Sequence, residues 1–112
     1  MHSGNIFANI PERLVDEQFL PLLASRNVKI ERIVSMGHAS PPGFWFNQER
    51  TEWVLILSGS AGLRIEGENA TRTLVAGDYV KLPPHTKHRV EWTDADQPTI
   101  WLAVHLGDPV SS

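Results

Sequence analysis

Gly77-Asp-Tyr-Val-Lys-Leu-Pro-Pro-His-Thr-Lys-His-Arg-Val-Glu-Trp92 decides how the rest of this 112-residue chain is read. Tyr79-Val-Lys-Leu and His88-Arg-Val-Glu-Trp are short runs rich in aromatic and β-branched residues, the composition of strands. Ala76-Gly77-Asp78 is a turn signal before the first run, and Pro83-Pro84 is one after it. The stretch therefore predicts strand, tight turn, strand. Just past the turn stand two imidazoles, His85 and His88, the densest concentration of candidate chemistry in the chain.

The same texture repeats outward from it. Val28-Lys-Ile-Glu-Arg-Ile-Val alternates apolar and charged residues, the period of a half-buried strand. Phe44-Trp-Phe, Trp53-Val-Leu-Ile-Leu, Ala61-Gly-Leu-Arg-Ile-Glu and Thr71-Arg-Thr-Leu-Val follow, separated by Gly, Pro, Ser and Asn turns, and Thr99-Ile-Trp-Leu-Ala-Val-His-Leu closes the series. Short strands recurring at about ten-residue spacing predict an all-β sandwich or barrel. Before them, Ile6, Phe7 and Ile10 punctuate a small, polar arm. Asp16 reads as the N-cap of a short helix carrying Phe19, Leu20 and Leu23, limited by Pro21 to a turn or two. The expected organisation is an arm and helix over residues 1–27 and a β-barrel over 28–112, together one structural domain.

Composition sets the bounds. Without cysteine the chain has no disulfide framework, thiolate metal site or cysteine nucleophile. A formal charge of −3, with basic residues scattered, argues against nucleic acid as partner. No apolar run is long enough to span a membrane as a helix. Residues 1–20 lack a basic start followed by an apolar core, so the expectation is a cytoplasmic protein.

At this point the sequence resembles the cupin superfamily, small double-stranded β-helix barrels of the jelly-roll type. Gly77, Pro83 and His88 fall at the spacings of that family's second motif; His85 stands in place of its second glycine, and Trp92 in place of its asparagine. Glu52 and Gly59 match the glutamate and glycine that end the first motif. The two histidines which normally precede that glutamate are missing. Phe46 and Gln48 hold their places at one family spacing, Trp45 and Asn47 at the other.

What the resemblance implies is a ligand-holding barrel interior and a homodimer. With residues 46 and 48 on the inward face, the candidate metal donors are Gln48, Glu52 and His88, with His105 on the last strand as a further candidate. Such an oxygen-leaning set suits manganese or iron(II) better than zinc, and nickel is also open. Glu52 and His88 are the candidate catalytic residues, acting as ligands or moving a proton. Phe46, Tyr79, Trp92 and the rim residue His85 are candidate pocket walls. Three functional readings follow: a metal-dependent enzyme or binder of a small organic ligand, a metal-free isomerase or epimerase with His88 as base, and a non-catalytic sensor. The missing first-motif histidines favour the last two over an iron dioxygenase.

Overall fold

Strands β1 (Gln18–Ala24), β2 (Val28–Ser35), β3 (Thr51–Ser58), β4 (Ser60–Ile65), β5 (Arg72–Val75), β6 (Tyr79–Leu82), β7 (His88–Thr93) and β8 (Thr99–Leu106) make up the regular structure of the protein. They were obtained from a computed structural model that describes residues 1–107, so the last five residues of the expected barrel segment lie outside the described residues. All strand pairings are antiparallel. One sheet has five strands in the order β1-β2-β8-β3-β6, the other three in the order β5-β4-β7. From β3 on, the chain passes repeatedly between the sheets. It crosses at Gly59, at Ala76–Asp78, at Pro83–Lys87 and at Asp94–Pro98, and the result is the double-wound barrel expected from the sequence.

The crossings explain two departures from the sequence reading. Tyr79–Leu82 and His88–Thr93 are strands, but they do not form a hairpin: β6 pairs with β3 in one sheet and β7 with β4 in the other. Pro83 and Pro84 donate no backbone hydrogen bond, so the ladder stops there and the chain changes sheet. The predicted N-terminal helix is replaced by β1. Residues 18–24 pair with β2, with a register break between Pro21 and Leu23. Pro21 is tolerated because β1 is an edge strand, where a missing N–H costs no internal ladder bond. Pairing along β2 satisfies more of this segment's backbone than two turns of interrupted helix would.

The core lies between the sheets and is built from Val54, Ile56, Ala61, Leu63, Leu74, Val80, Leu82, Trp101 and Ala103. Trp101 Nε1 donates to Ser35 Oγ at 3.1 Å, so its polar tip is satisfied while the ring is buried. Outside the five-stranded sheet, the arm is held by Arg32. Its Nη1 donates to the carbonyls of Ile6 and Ala8, and its Nη2 donates to Gln18 Oε1. His38 is a clasp: Nδ1 accepts from Met36 N, and Nε2 donates to Val15 O at 2.9 Å.

Candidate functional site

Strand register assembles the site before any side-chain detail. On the five-stranded sheet, His105 of β8 stands opposite Lys29 of β2 on one side and Glu52 of β3 on the other. Side chains directly opposite in an antiparallel pair share a face. Here that face is the barrel interior, so one row carries Lys29, His105 and Glu52. Glu31, two residues beyond Lys29, projects to the same side. From the other sheet His88, the first residue of β7, reaches across. A backbone bridge ties it to Phe46: Phe46 N donates to His88 O at 2.7 Å, and His88 N donates to Phe46 O at 3.1 Å. The segment before β3 is thereby held with Phe46 and Gln48 facing inward, which selects the shorter of the two first-motif spacings.

The polar groups form a chain. His88 Nε2 lies 3.2 Å from Glu52 Oε1. Glu52 Oε2 lies 3.7 Å from His105 Nε2. His105 Nε2 lies 3.1 Å from Glu31 Oε1, and Glu31 Oε2 lies 3.5 Å from Lys29 Nζ. Glu31, Glu52, His88 and His105 are all buried, at 5%, 7%, 6% and 8% exposure. Buried charges persist only when partnered, and each of these four is partnered by another.

Hydrogen bonding assigns protons. His88 Nδ1 contacts Thr86 O at 2.8 Å. A carbonyl can only accept, so Nδ1 carries hydrogen and Nε2 is the nitrogen whose state changes. Burial works against the imidazolium of His88, but the Glu52 contact and the Thr86 carbonyl together outweigh it and hold its pKa above the ordinary value. Glu31 moves the other way. The hydrogen bond from His105, opposed by burial and aided by Lys29, holds its carboxyl below the ordinary range.

These shifts fix a pH dependence. His88 binds its proton more tightly folded than unfolded. Its contribution is complete below the unfolded value of 6.5 and is lost as pH rises through the higher folded value. Glu31 binds its proton less tightly folded than unfolded. Its contribution is complete above the unfolded value of 4.5 and is lost as pH falls through the lower folded value. Urea unfolding across about pH 4 to 9 is therefore expected to show an alkaline decline that starts above the ordinary histidine value and flattens in His88→Gln. An alkaline limb identical in the two proteins would contradict the assignment.

The cavity beside this chain measures ≈ 70 Å³, room for a few waters or a compact ligand fragment. Its polar wall is Glu17, Glu31, Gln48, Glu52 and His88; its apolar wall includes Phe46, Val54, Leu63, Val90 and Trp101. No lysine or arginine lines it. Phe46 stacks on the His88 imidazole with ring centres 5.4 Å apart and planes 20° apart, and Phe44 packs edge-on against Phe46 at 4.9 Å. Gln48 Oε1 is buried with no hydrogen-bond partner. A second, more open pocket of ≈ 400 Å³ shares Glu31 and Gln48 with the first and adds Lys29, Glu49, Arg50 and His105.

Sequence-predicted residues are thus brought together unevenly. Phe46, Gln48, Glu52 and His88 share the cavity, and His105 joins them through Glu52 from the outer pocket. His85, Tyr79 and Trp92 lie elsewhere. His85 is exposed on the turn with φ of 62°, and its Nδ1 lies 3.1 Å from Asn47 Oδ1. A left-handed backbone at that position explains why the family pattern has glycine there. Tyr79 points outward, 65% exposed, and tilts against Trp53. Trp92 is displaced by a β-bulge: β4 pairs Leu63 with Val90 but Gly62 with Trp92, leaving Glu91 as the extra residue. The inserted residue reverses the alternation begun at His88, so Trp92 lies across Gly62 instead of in the cavity. Glu31 was missed by sequence reading, since a charged residue on an alternating strand reads as solvent-facing.

An imidazole-rich metal centre is not built here. Among the described residues, no three His, Cys, Asp or Glu side chains converge to hold an ion. At the two first-motif histidine positions stand Phe46, which cannot coordinate and covers the His88 ring, and Gln48, an amide donor. Both Glu52 oxygens face imidazoles. His105 is turned to Glu31 and lies outside the cavity, so His88, one engaged carboxylate and the Gln48 amide are what the cavity offers, a weak set for any transition metal, and these residues do not fit the group.

Comparison with known proteins agrees with the fold. The cupin domain family model matches residues 33–105. A candidate mannose-6-phosphate isomerase from Ralstonia eutropha JMP134 is 50% identical, with a TM-score of 0.93 over 96% of this chain and 99% of that one. A cupin superfamily protein from Desulfitobacterium hafniense DCB-2 is 20% identical, with a TM-score of 0.76 over 96% of this chain and 94% of that one. An RmlC-like double-stranded β-helix protein from Methanocaldococcus jannaschii is 17% identical, with a TM-score of 0.70 over 90% and 89%. The last two are similar in fold alone. No curated protein sequence matches the chain.

Proposed function

The chain belongs to the cupin domain family, and from that premise we propose that its cavity binds a compact, mostly apolar organic molecule without a metal ion, His88 being the group that exchanges a proton with it. The observation that carries this reading is the buried contact of His88 Nε2 with Glu52 Oε1 at 3.2 Å, with Nδ1 tied to Thr86 O. One nitrogen is fixed as a donor, and the other stands beside a carboxylate at the cavity wall. That is the arrangement of an oriented general acid or base. Phe46 adds an apolar face, and the free Gln48 Oε1 accepts a hydrogen bond from a ligand N–H or O–H.

The Ralstonia protein is described by an activity on a phosphosugar, and that substrate does not suit this cavity. Glu17, Glu31 and Glu52 line it, and His88, the one group in the wall that can carry positive charge, is turned to Glu52, so a phosphate dianion entering it would meet mostly like charge. The test combines both points. The protein is stripped, reloaded with manganese, iron(II), nickel and zinc, its bound metal counted, and each sample assayed with mannose 6-phosphate. Expected are less than about a tenth of an ion per chain and no isomerisation. Stoichiometric metal that is lost in His88→Ala, or turnover of the phosphosugar, would contradict the reading.

A homodimer is part of the proposal. The outer face of the five-stranded sheet is mostly apolar: Leu20, Leu23 and Tyr79 are exposed on it beside Lys81, while Ile30, Trp53, Leu55, Leu102 and Val104 are half-buried and the N-terminal arm covers Arg32. A mostly apolar sheet face of this kind marks an association surface. Sedimentation at about 10 µM is expected to give a dimer, and Leu102→Lys a monomer with unchanged circular dichroism. A wild-type monomer at that concentration would remove the dimer from the account.

A further inference from the structure

On the outer face of the five-stranded sheet, away from the cavity, the N-terminal arm encloses a separate pocket. Arg32 projects to that face, opposite Leu20 of the edge strand β1. The register break between Pro21 and Leu23 leaves Leu22 as an extra residue, and the bulge turns it to the same side as Leu20. Residues 2–6 run over them. The pocket measures ≈ 350 Å³, within the range of about 300–1,000 Å³ that small-molecule sites occupy.

Its charge is the reverse of the cavity's. No acidic side chain lines it, whereas Arg32 and His2 do. Arg32 is buried, at 3% exposure. Its three hydrogen bonds all go to neutral oxygens, the carbonyls of Ile6 and Ala8 and the side-chain amide of Gln18. Its buried Nε donates to nothing. Among the described residues no carboxylate forms an ion pair with it. A buried guanidinium without an anion is a costly arrangement, and an arriving anion relieves it. Beside it Leu20 and Leu22 keep 39% and 47% of their surface open. We propose that this pocket binds a small organic monocarboxylate, with the carboxylate on the Arg32 guanidinium and the apolar body along Ile6, Leu20 and Leu22. The planar guanidinium matches a carboxylate. One buried cation balances a single negative charge, and the leucine wall offers no donor to the further oxygens of a phosphate. Ile6 O, at 3.3 Å the longest of the three contacts, is the acceptor that the carboxylate displaces, which opens the guanidinium to the pocket. The site shares no residue with the cavity of His88 and does not depend on the reading of that cavity.

Titration of the nitrogen-15-labelled full chain with hexanoate tests this. Saturable shifts with a midpoint near or below about 1 mM are expected at Arg32 Nε–H and in the amides of residues 2–8 and β1. 1-Hexanol, with the same body and no charge, is expected to bind at least about tenfold more weakly. Leu22→Glu changes an exposed position of an edge strand and places a carboxylate of its own in the pocket. It is expected to abolish the hexanoate shifts at Arg32 while the amide spectrum away from the arm and β1 is retained. No saturation by about 20 mM, equal binding of hexanol, or shifts centred on Phe46 and His88 overturns the proposal. So do Arg32 signals that follow protein concentration and ignore hexanoate, since they assign the anion to a second copy of the chain.

Discussion

Glu52→Ala is expected to cost about 3 kcal/mol of unfolding free energy, because it leaves two buried imidazoles facing an empty space where each had a carboxylate oxygen. Glu52 joins the two sheets through side chains: it stands on β3, and His88 stands on β7 of the opposite sheet. Its loss leaves burial, the largest influence on His88 and one that disfavours the imidazolium, opposed by the Thr86 carbonyl alone. The variant should therefore lose the alkaline decline in stability as well as the 3 kcal/mol. Glu52→Gln separates the effects. It keeps the volume and one acceptor, so most of the stability returns while the pH dependence of His88 does not. Urea unfolding at about pH 6 and pH 8.5 reads both quantities. A loss below about 1 kcal/mol in Glu52→Ala would mean that the pair is solvated and that the site is not the buried unit described.

The second large effect lies far from that chemistry. Gly59 is the single residue between β3 and β4, where the chain leaves one sheet for the other, and its φ is +82°. A Cβ placed there would lie 2.6 Å from Thr99 Oγ1 and 2.7 Å from both Pro98 O and Thr99 Cα. Two of these three atoms are backbone, which cannot swing aside. Gly59→Ala combines a left-handed backbone, about 1–2 kcal/mol for an L side chain, with overpacking of about 1–3 kcal/mol. About 3 kcal/mol in total is expected, read as a lowered urea midpoint with unchanged slope. Gly67→Ala is the control: its φ is similarly positive, but no atom lies within 4 Å of the added carbon, so only the backbone cost applies. Equal losses at the two positions would show that the corner is not sterically closed.

Gly59 also shows what could be read from residues alone. Turn residues and strand-length apolar runs place most of the strands, and the spacing of Gly77, Pro83 and His88 places the fold. Strand membership is local, but sheet membership is not. Nothing in Pro83-Pro84 distinguishes a hairpin turn from a passage between sheets, since both need a break in the ladder. Pro21 misled in the same way: Phe19, Leu20 and Leu23 share a helical face, and only the presence of β2 beside them makes an edge strand the better partner. Facing is the other blind spot. Alternation in Val28–Val34 finds a strand without saying which side meets the cavity. Glu31 and Lys29 share the side of Ile33 and the cavity, while Arg32 is buried on the opposite side under the N-terminal arm. A bulge at Glu91 likewise moved Trp92 out of the pocket assigned to it by counting from His88. The candidate site was legible where motif spacing carried it, at Glu52 and His88. Glu31 was not, because its role depends on a register three strands wide.

The central claim is that His88 and Glu52 form a proton-exchanging pair in a site without metal. Nitrogen-15 titration of the His88 ring, repeated with sub-stoichiometric manganese(II), tests it most directly. The account predicts that Nδ1 keeps its proton throughout, that Nε2 takes one up with a midpoint above 6.5, and that manganese leaves the His88 signals sharp. A midpoint at or below 6.5, or selective broadening of His88 Nε2 by the ion, would contradict it.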